Sequence, residues 1–231
     1  MIALTSIIPT RIEHQKECLK TWPFSKIVSF NTKEEIGVLQ RNFADVTFIE
    51  TNNTRTFKTE FIALDDFFEY IRNSDENCVI LNSDLEIISL PSIIEEYMEH
   101  GVIISNRINY DSDSVKMYSE EKWVSGFDAF FIHKKYIDIY PVNDFVLGQC
   151  HYDYWIPYKA LRNNIPVFIT KEKIFLHKHH GNSKAYQNRF WHKTALHFIE
   201  IEGMNYTKNE TGCWEMNKEV FKLIQSKSGL I

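Results

Sequence analysis

Two carboxylates separated by one residue follow a short apolar run. Asp84 and Glu86 come after Val79–Leu81, in the segment Leu-Asn-Ser-Asp-Leu-Glu. In an extended segment these side chains point to the same side, where they can share one hard divalent cation. Magnesium or manganese suits such oxygen ligands, and a cation held there would bridge the phosphates of a nucleotide sugar. A strand-end turn with two solvated acids is the alternative interpretation.

The first half of the sequence alternates apolar strands with amphipathic helices. Strands are predicted at 2–8, 26–30, 46–50 and 78–82, and helices at 13–22, 33–42, 57–72 and 91–100. This order is typical of a doubly wound parallel sheet. Such sheets bind ligands beyond the carboxyl ends of their strands. The residues expected at that edge are Pro9 to Arg11, Asn31 and Asp84 to Glu86.

The second half has a mixed order of elements, which predicts added antiparallel strands. Strands are expected at 101–105, 124–133 and 166–176, and a helix at 152–163. Without an internal repeat or linker, the chain is expected to form a single α/β domain with a mostly parallel central sheet. Its parts are about 1–100, about 101–181 and a C-terminal helical extension from about 182 to 231.

Composition excludes several classes of protein. The chain has 231 residues, 44% of them apolar, and a formal charge of -5 with scattered Lys and Arg, so disorder and nucleic-acid binding are not expected. The four cysteines form no Cys-x-x-Cys pair and are expected to be reduced and structural. The N-terminal apolar run is too short for a signal peptide or a transmembrane segment, which predicts a cytoplasmic protein.

The segment Leu81–Glu86 resembles the Leu-Asn-x-Asp-x-Glu version of the Asp-x-Asp motif in GT-A glycosyltransferases, especially those similar to family 2. The resemblance extends over about residues 2 to 180. It implies a GT-A-like, Rossmann-like fold, a nucleoside diphosphate sugar donor, and Mn²⁺ or Mg²⁺. It assigns Asp84 to the metal and the donor, places Ser83 beside it, and gives Glu86 a direct or water-mediated role.

A second motif is Trp-Val-Ser-Gly-Phe-Asp, which ends at Asp128. Gly126 permits close approach of the backbone, and Asp128 can accept hydrogen bonds from sugar hydroxyls. In the family that the chain resembles, this stretch lies near the transferred sugar and the acceptor. A bulge at Gly126 and a turn at Asp128 are the structural alternative.

A third motif, His-Tyr-Asp-Tyr-Trp, opens the predicted helix at 152–163. Asp153 can cap this helix by accepting from backbone amides. In inverting members of the resembling family, an acid at this place deprotonates the acceptor hydroxyl, which makes Asp153 the candidate base. Tyr152 and Asp153 stand where the family usually has two adjacent acids. Trp155 is a candidate for stacking on a sugar ring, with core packing as the alternative.

Three histidines follow a late apolar strand, at positions 177, 179 and 180. A surface cluster is one interpretation, and a zinc site is another because imidazole suits zinc. Alternation along a strand puts His177 and His179 on one face. In GT-A enzymes a late histidine often completes the metal site, and His177 matches that place best, with His179 as the second choice.

The remaining donor candidates lie in loops. The segment Pro9-Thr10-Arg11 fits the family's nucleotide-base loop, where Arg11 would pair with phosphate or stack on a base. Asn31 stands where relatives commonly use an acid to bind uracil or ribose. Arg55 and Lys58 are candidates for phosphate contact, with a solvated surface as the alternative.

Together these patterns predict transfer of a glycosyl group from a nucleoside diphosphate sugar to a glycan or another hydroxyl acceptor. One alternative is a nucleotidyltransferase of the same fold, which would release pyrophosphate; the sequence lacks the Gly-rich, basic N-terminal signature common in such enzymes. Another is a non-catalytic carbohydrate-binding protein of the same fold.

Overall fold

Eleven strands and seven α-helices are found in the described part of the chain. The computed structural model describes residues 1–52, 61–110, 126–171, 174–178 and 184–231, with residues 184–190 described by backbone alone. The strands are β1 Ile2–Thr5, β2 Lys26–Asn31, β3 Val46–Glu50, β4 Cys78–Leu81, β5 Leu85–Ile87, β6 Val102–Ser105, β7 Arg107–Tyr110, β8 Ala129–Ile132, β9 Val167–Ile169, β10 Phe175–Lys178 and β11 Gly229–Leu230. The helices are α1 Ile12–Lys20, α2 Lys33–Leu39, α3 Leu64–Asn73, α4 Ile93–Met98, α5 Tyr152–Arg162, α6 Lys184–Ile201 and α7 Glu210–Lys227, with a 3₁₀ helix at Lys134–Ile139.

The central sheet has eight strands in the order β11-β9-β6-β8-β4-β1-β2-β3. Strand β8 is antiparallel to both of its neighbours, β4 and β6, and every other pairing in this sheet is parallel. The expected α/β class, with a mostly parallel sheet and an added antiparallel strand, is therefore confirmed.

Helices cover both faces of this sheet because its strands are apolar on both sides. From β4, Ile80 packs with α3, α5, α6 and α7 in one buried cluster, while Val79 and Leu81 pack with α1, α2 and α4 in another. Successive side chains of a strand point to opposite faces, so a continuous apolar run needs a helical layer on each side. The doubly wound arrangement follows from that requirement.

A second, three-stranded sheet has the order β5-β10-β7. Strand β10 is antiparallel to β5 and parallel to β7. Its register pairs His177 with Leu85 on one side and with Asn109 on the other. Paired residues of neighbouring strands share a face, so the face that carries His177 is the one opposite Glu86.

Residues 184–231 form α6, α7 and β11, which pack against the rest of the fold. Helix α7 buries Met216, Val220 and Ile224 against the layer that contains α5, and β11 adds a short parallel strand beside β9. All four cysteines are free, as expected. Of the helices in the described ranges, none is long and apolar enough to cross a membrane.

Two elements begin five or more residues later than expected. Helix α3 begins at Leu64, whereas the apolar spacing predicts a helix from 57; residues 53–60 lie outside the described part. Strand β8 begins at Ala129 rather than 124, and the described chain resumes only at Gly126, whose φ of 130° is not that of a strand.

Candidate active site

Asp84 lies where the central strand β4 leaves the core. The four residues of β4 are fully buried, and a turn after it leads directly into β5. The Asp84 Oδ2 atom is 3.3 Å from Nε2 of His177 and 3.6 Å from Nη2 of Arg11. The fold thus brings Asp84, Arg11 and His177 together beyond the carboxyl end of β4.

His177 is oriented by a hydrogen-bond chain. Its Nδ1 lies 2.9 Å from Oδ1 of Asn109, and the same oxygen accepts from Nε of Arg107 at 3.0 Å. Because the arginine only donates, the shared atom is an acceptor, and Nδ1 of His177 must carry the proton. The other ring nitrogen, Nε2, faces the Asp84 carboxylate.

This arrangement fits a divalent cation. Asp84 offers a carboxylate oxygen and His177 an imidazole nitrogen, and the second nitrogen of the imidazole is tied to an outer partner, as is usual for a metal-bound histidine. Both side chains are mostly covered, with 15% of Asp84 and 6% of His177 exposed. Arg11, whose side chain is 36% exposed, supplies positive charge at the rim.

Gln15 fastens the N-terminal loop to the turn that carries Asp84. Its Nε2 donates to the carbonyls of Ile8 and Thr10 at 2.8 and 2.7 Å, and its Oε1 accepts from the Ile8 amide and the Ser83 hydroxyl at 3.0 and 2.7 Å. Gln15 is 1% exposed, so these four bonds replace water. No sequence pattern singles out Gln15; its only local signal is an amide side chain one turn into α1.

The same loop leaves Pro9, Thr10 and Arg11 exposed. Arg11 has a left-handed backbone with φ of 53°, an uncommon conformation for a residue with a side chain. This conformation begins α1 and aims the guanidinium toward Asp84. The loop is thus accessible from the solvent side.

Asn31 does not present its amide to solvent. It is fully buried, donates to the Ile7 carbonyl at 2.7 Å and to Glu35 at 3.0 Å, and accepts from the Ser29 hydroxyl at 2.6 Å. These bonds hold the start of the N-terminal loop against β2. The expected contact between Asn31 and the nucleotide is therefore replaced by a structural role, because the neighbouring chain already uses its polar atoms.

Trp155 is also removed from the site. Its ring is fully buried among Phe68, Tyr140 and Phe145, and its Nε1 donates to Glu202 at 2.8 Å. The expected stacking of Trp155 on a sugar is wrong, because no face of the ring reaches solvent.

Asp128 is anchored from two sides. Its Oδ1 accepts from Arg107 and, at 3.0 Å, from Nδ2 of Asn82. Arg107 therefore contacts both Asp128 and the Asn109 amide that orients His177. Neither Arg107 nor Asn109 was singled out from the sequence, since their partners are distant in the chain.

Asp153 is the second residue of α5, and its carboxylate lies against the backbone of Gly126. A side chain at Gly126 would place its Cβ 2.6 Å from Oδ2 of Asp153, so glycine is required for the close approach as well as for its positive φ. The Oδ1 atom of Asp153 is covered and has no hydrogen-bond partner among the described residues. A covered carboxylate oxygen without a donor is costly when it is ionised.

The environment of Asp153 favours its protonated form. Burial and the neighbouring Asp128 raise the pKa of its carboxyl to about 7, although backbone amides, including those of Phe127 and Tyr154, oppose the shift. A carboxyl with a pKa near neutrality can take up a proton and release it at physiological pH.

Glu86 belongs to a different group of side chains. It lies on the opposite face of the small sheet from His177, accepts from the Tyr110 hydroxyl, and faces His14 and Cys18 of α1. The sequence interpretation assumed an extended chain through Asp84, but Asp84 lies in the turn. The predicted set of Asp84, Glu86 and His177 is therefore divided between two places. Lys58, Arg55, His179, His180 and Trp123 lie outside the described residues.

No protein-family model and no curated protein matches the sequence. Among solved structures, the chain is similar to a nucleotidyl transferase from Methanothermobacter, with 10% identity, coverage of 96% of this chain and 98% of that chain, and a TM-score of 0.41. It is also similar to a glucose-1-phosphate thymidylyltransferase from Bacillus anthracis solved with sucrose, with 13% identity, coverage of 81% and 92%, and a TM-score of 0.39. At this level of similarity, neither structure bears on the activity of this chain.

Proposed function

We propose that the protein is a cation-dependent glycosyltransferase that moves a sugar from a nucleoside diphosphate donor to an acceptor hydroxyl. The observation that carries the proposal is the convergence of Asp84, His177 and Arg11 at the carboxyl edge of a mostly parallel sheet. Phosphates bind at this edge in open α/β sheets. An acid, an imidazole and a guanidinium together suit a diphosphate that carries a divalent cation.

Mn²⁺ or Mg²⁺ would be held by Asp84 and His177, where it would neutralise charge on the departing diphosphate. Arg11 would contact the same phosphates with its exposed guanidinium, which binds phosphate oxygens in a fork geometry. Pro9 and Thr10 would contact the nucleotide beside it. Ser83 and Gln15 would keep this loop and the Asp84 turn in register.

Asp153 favours a hydroxyl acceptor over a phosphate acceptor. A hydroxyl must lose a proton as it attacks, whereas in nucleotidyl transfer the attacking group is a sugar phosphate, which is already ionised and needs no base. A carboxyl whose pKa is raised to about 7, with one oxygen lacking a hydrogen-bond donor in the described structure, is suited to receive that proton. Asp128 and Gly126 would line the same region near the transferred sugar.

The first test measures donor binding. Thermal unfolding of the wild-type protein is recorded with nucleoside diphosphates and nucleoside diphosphate sugars, with and without Mn²⁺. A ligand that binds only the folded state raises the transition temperature. We expect a cation-dependent rise in the wild type and its loss in Asp84→Asn. Asp45→Asn, at an exposed turn, is the control that should keep the rise.

The second test identifies the product. Release of a nucleoside diphosphate from a sugar donor, dependent on Mn²⁺ and lost in Asp84→Asn, supports the proposal. Release of pyrophosphate from a nucleoside triphosphate and a sugar phosphate would assign the chain to nucleotidyl transfer instead. If donor turnover is equal in wild type and Asp84→Asn, the enzyme proposal fails and a carbohydrate-binding role takes its place.

A further inference from the structure

Three side chains of different chemistry meet between α1 and β5. His14 and Cys18 are four residues apart on α1, so they share one face of the helix, and Sγ of Cys18 lies 3.8 Å from Nε2 of His14. Glu86 of β5 faces them, and one ligand atom from each of the three residues lies within 4.8 Å of the others. These separations are close to those between ligands of a single transition-metal ion.

The junction between α1 and β5 holds this group in place. The carbonyl of Leu85 accepts from Nε1 of Trp22 at 2.7 Å, and the amide of Ile87 donates to the Thr21 hydroxyl at 2.8 Å. Both bonds join the end of α1 to the residues on either side of Glu86. The backbone that carries Glu86 is therefore fixed relative to the helix that carries the thiol and the imidazole.

The group is separate from Asp84 and His177. Glu86 pairs with Leu176, whereas His177 pairs with Leu85, so Glu86 and His177 project from opposite faces of the small sheet. One oxygen of Glu86 accepts from Tyr110, a residue on the same face of the small sheet as Glu86. Cys18 is fully buried, while His14 and Glu86 are half-buried, so an ion can reach the group from the side of these two residues.

We propose that His14, Cys18 and Glu86 form a second, sulfur-containing site for a transition-metal ion of the zinc class. A thiolate, an imidazole and a carboxylate are all zinc ligands, and three protein ligands leave a fourth tetrahedral position for water or another molecule. Magnesium is excluded by the sulfur ligand, because it selects oxygen donors. This site is independent of the proposed transferase activity and assigns Glu86 to a different ion from the one at Asp84.

Burial, together with the carboxylates of Glu86 and Asp84, raises the pKa of the Cys18 thiol, so the thiol is protonated before a metal ion binds. Binding adds one metal–sulfur bond and releases the Cys18 proton to solvent, so the bound thiolate and Glu86 together offset the two positive charges of the ion. Metal affinity should therefore rise with pH.

The test uses Co²⁺ as a spectroscopic probe and Zn²⁺ as the competitor. We expect thiolate-to-metal charge-transfer absorption that saturates with one equivalent of Co²⁺ at the sulfur site, whether or not more Co²⁺ binds at Asp84, and that Zn²⁺ then removes. Cys18→Ser should abolish this absorption, and His14→Gln should weaken binding at least about tenfold. Circular dichroism of each variant checks that its fold is retained.

Matched variants locate the site. Cys213→Ser removes another fully buried cysteine from a helix, Cys150→Ser removes the partly accessible cysteine, and His177→Gln disrupts the Asp84 pair; all three should keep the absorption. If Cys18→Ser does not fold, Glu86→Gln at its half-buried position gives the answer, since it should lower Co²⁺ affinity by a similar factor. Absence of the absorption in the wild type, its persistence in Cys18→Ser, or unchanged affinity in Glu86→Gln would overturn the proposal.

Discussion

Asp153, the proposed base, lies in an environment that disfavours its ionised form. Burial and Asp128 both raise its pKa, because each disfavours the ionised carboxylate. The unfolded chain has no such environment, so the raised pKa stabilises the fold at low pH. That contribution is lost as the pH rises through about 7, where Asp153 must ionise in its covered position.

At the residue scale, we predict that kcat/KM for transfer rises with pH through about 7, because Asp153 must be ionised to accept the acceptor proton. Asp153→Asn should lower kcat by about 10² to 10⁴ and remove this limb of the profile. The measurement is a pH–rate profile at saturating cation. Asp75→Asn, at a fully exposed position, should keep the wild-type profile.

Asp153→Asn should lower activity, but it should raise stability at high pH. As the pH rises from 4 to 9, the free energy of unfolding of Asp153→Asn should increase relative to that of the wild type by on the order of 4 kcal/mol. Urea unfolding at the two pH values measures the difference. A pH-independent difference would show that Asp153 titrates normally.

At the element scale, α1 positions most of the candidate site. Gln15 in its first turn ties the N-terminal loop to the Asp84 turn, while Thr21 and Trp22 after its last turn tie it to β5. The strands are short, and β5 has only three residues. The hydrogen bonds from α1 therefore fix the positions of the Asp84 turn and of β5, in addition to the pairing between these short strands.

Gly126 precedes β8 and has a backbone conformation that suits only glycine. Gly126→Ala should destabilise the fold by about 1 to 3 kcal/mol and lower transfer, because its φ of 130° is unfavourable for alanine and the new Cβ would displace Asp153. Urea unfolding and initial rates measure the two effects. Gly37→Ala is the control: in α2 a Cβ at that position has no contact within 4 Å, so the substitution should stabilise the fold by about 0.5 to 1 kcal/mol. Equal effects of the two substitutions would contradict the steric argument.

At the scale of the whole molecule, the last helices are part of the core. Val220 of α7 is 2% exposed in the same cluster as Trp155 of α5 and Phe198 of α6. Helix α5 carries Asp153 at its start, so packing at the far C-terminal end supports the candidate site. The C-terminal extension expected from the sequence is thus joined to the α/β layers by buried contacts.

We predict that Val220→Ala lowers the free energy of unfolding by about 2 kcal/mol, through lost burial and a residual cavity. Val38→Ala makes the same chemical change in α2, where the side chain is 50% exposed, and should change stability by less than about 0.5 kcal/mol. Both values come from urea unfolding. An independent, weakly packed C-terminal segment would instead give two transitions and little loss for Val220→Ala.

The sequence alone determined the class of fold and the position of the main candidates. Apolar runs such as Cys78–Leu81, separated by amphipathic helices, predict a buried parallel sheet because their periodicity is a local property. Asp84 after β4 and Asp153 at the start of α5 follow from the same local signals. Sequence spacing also suggested the side on which each carboxylate lies, and there it failed for Glu86.

Only the tertiary structure decided which side chains meet. A turn at Asp84 in place of extended chain, and the register of β5 with β10, put Glu86 beside Cys18 rather than His177. Register depends on pairing between distant segments, and a shift of one residue reverses every side chain. Trp155 is buried, and Gln15 and Arg107 form their hydrogen bonds, through tertiary structure. Local sequence patterns do not predict such contacts.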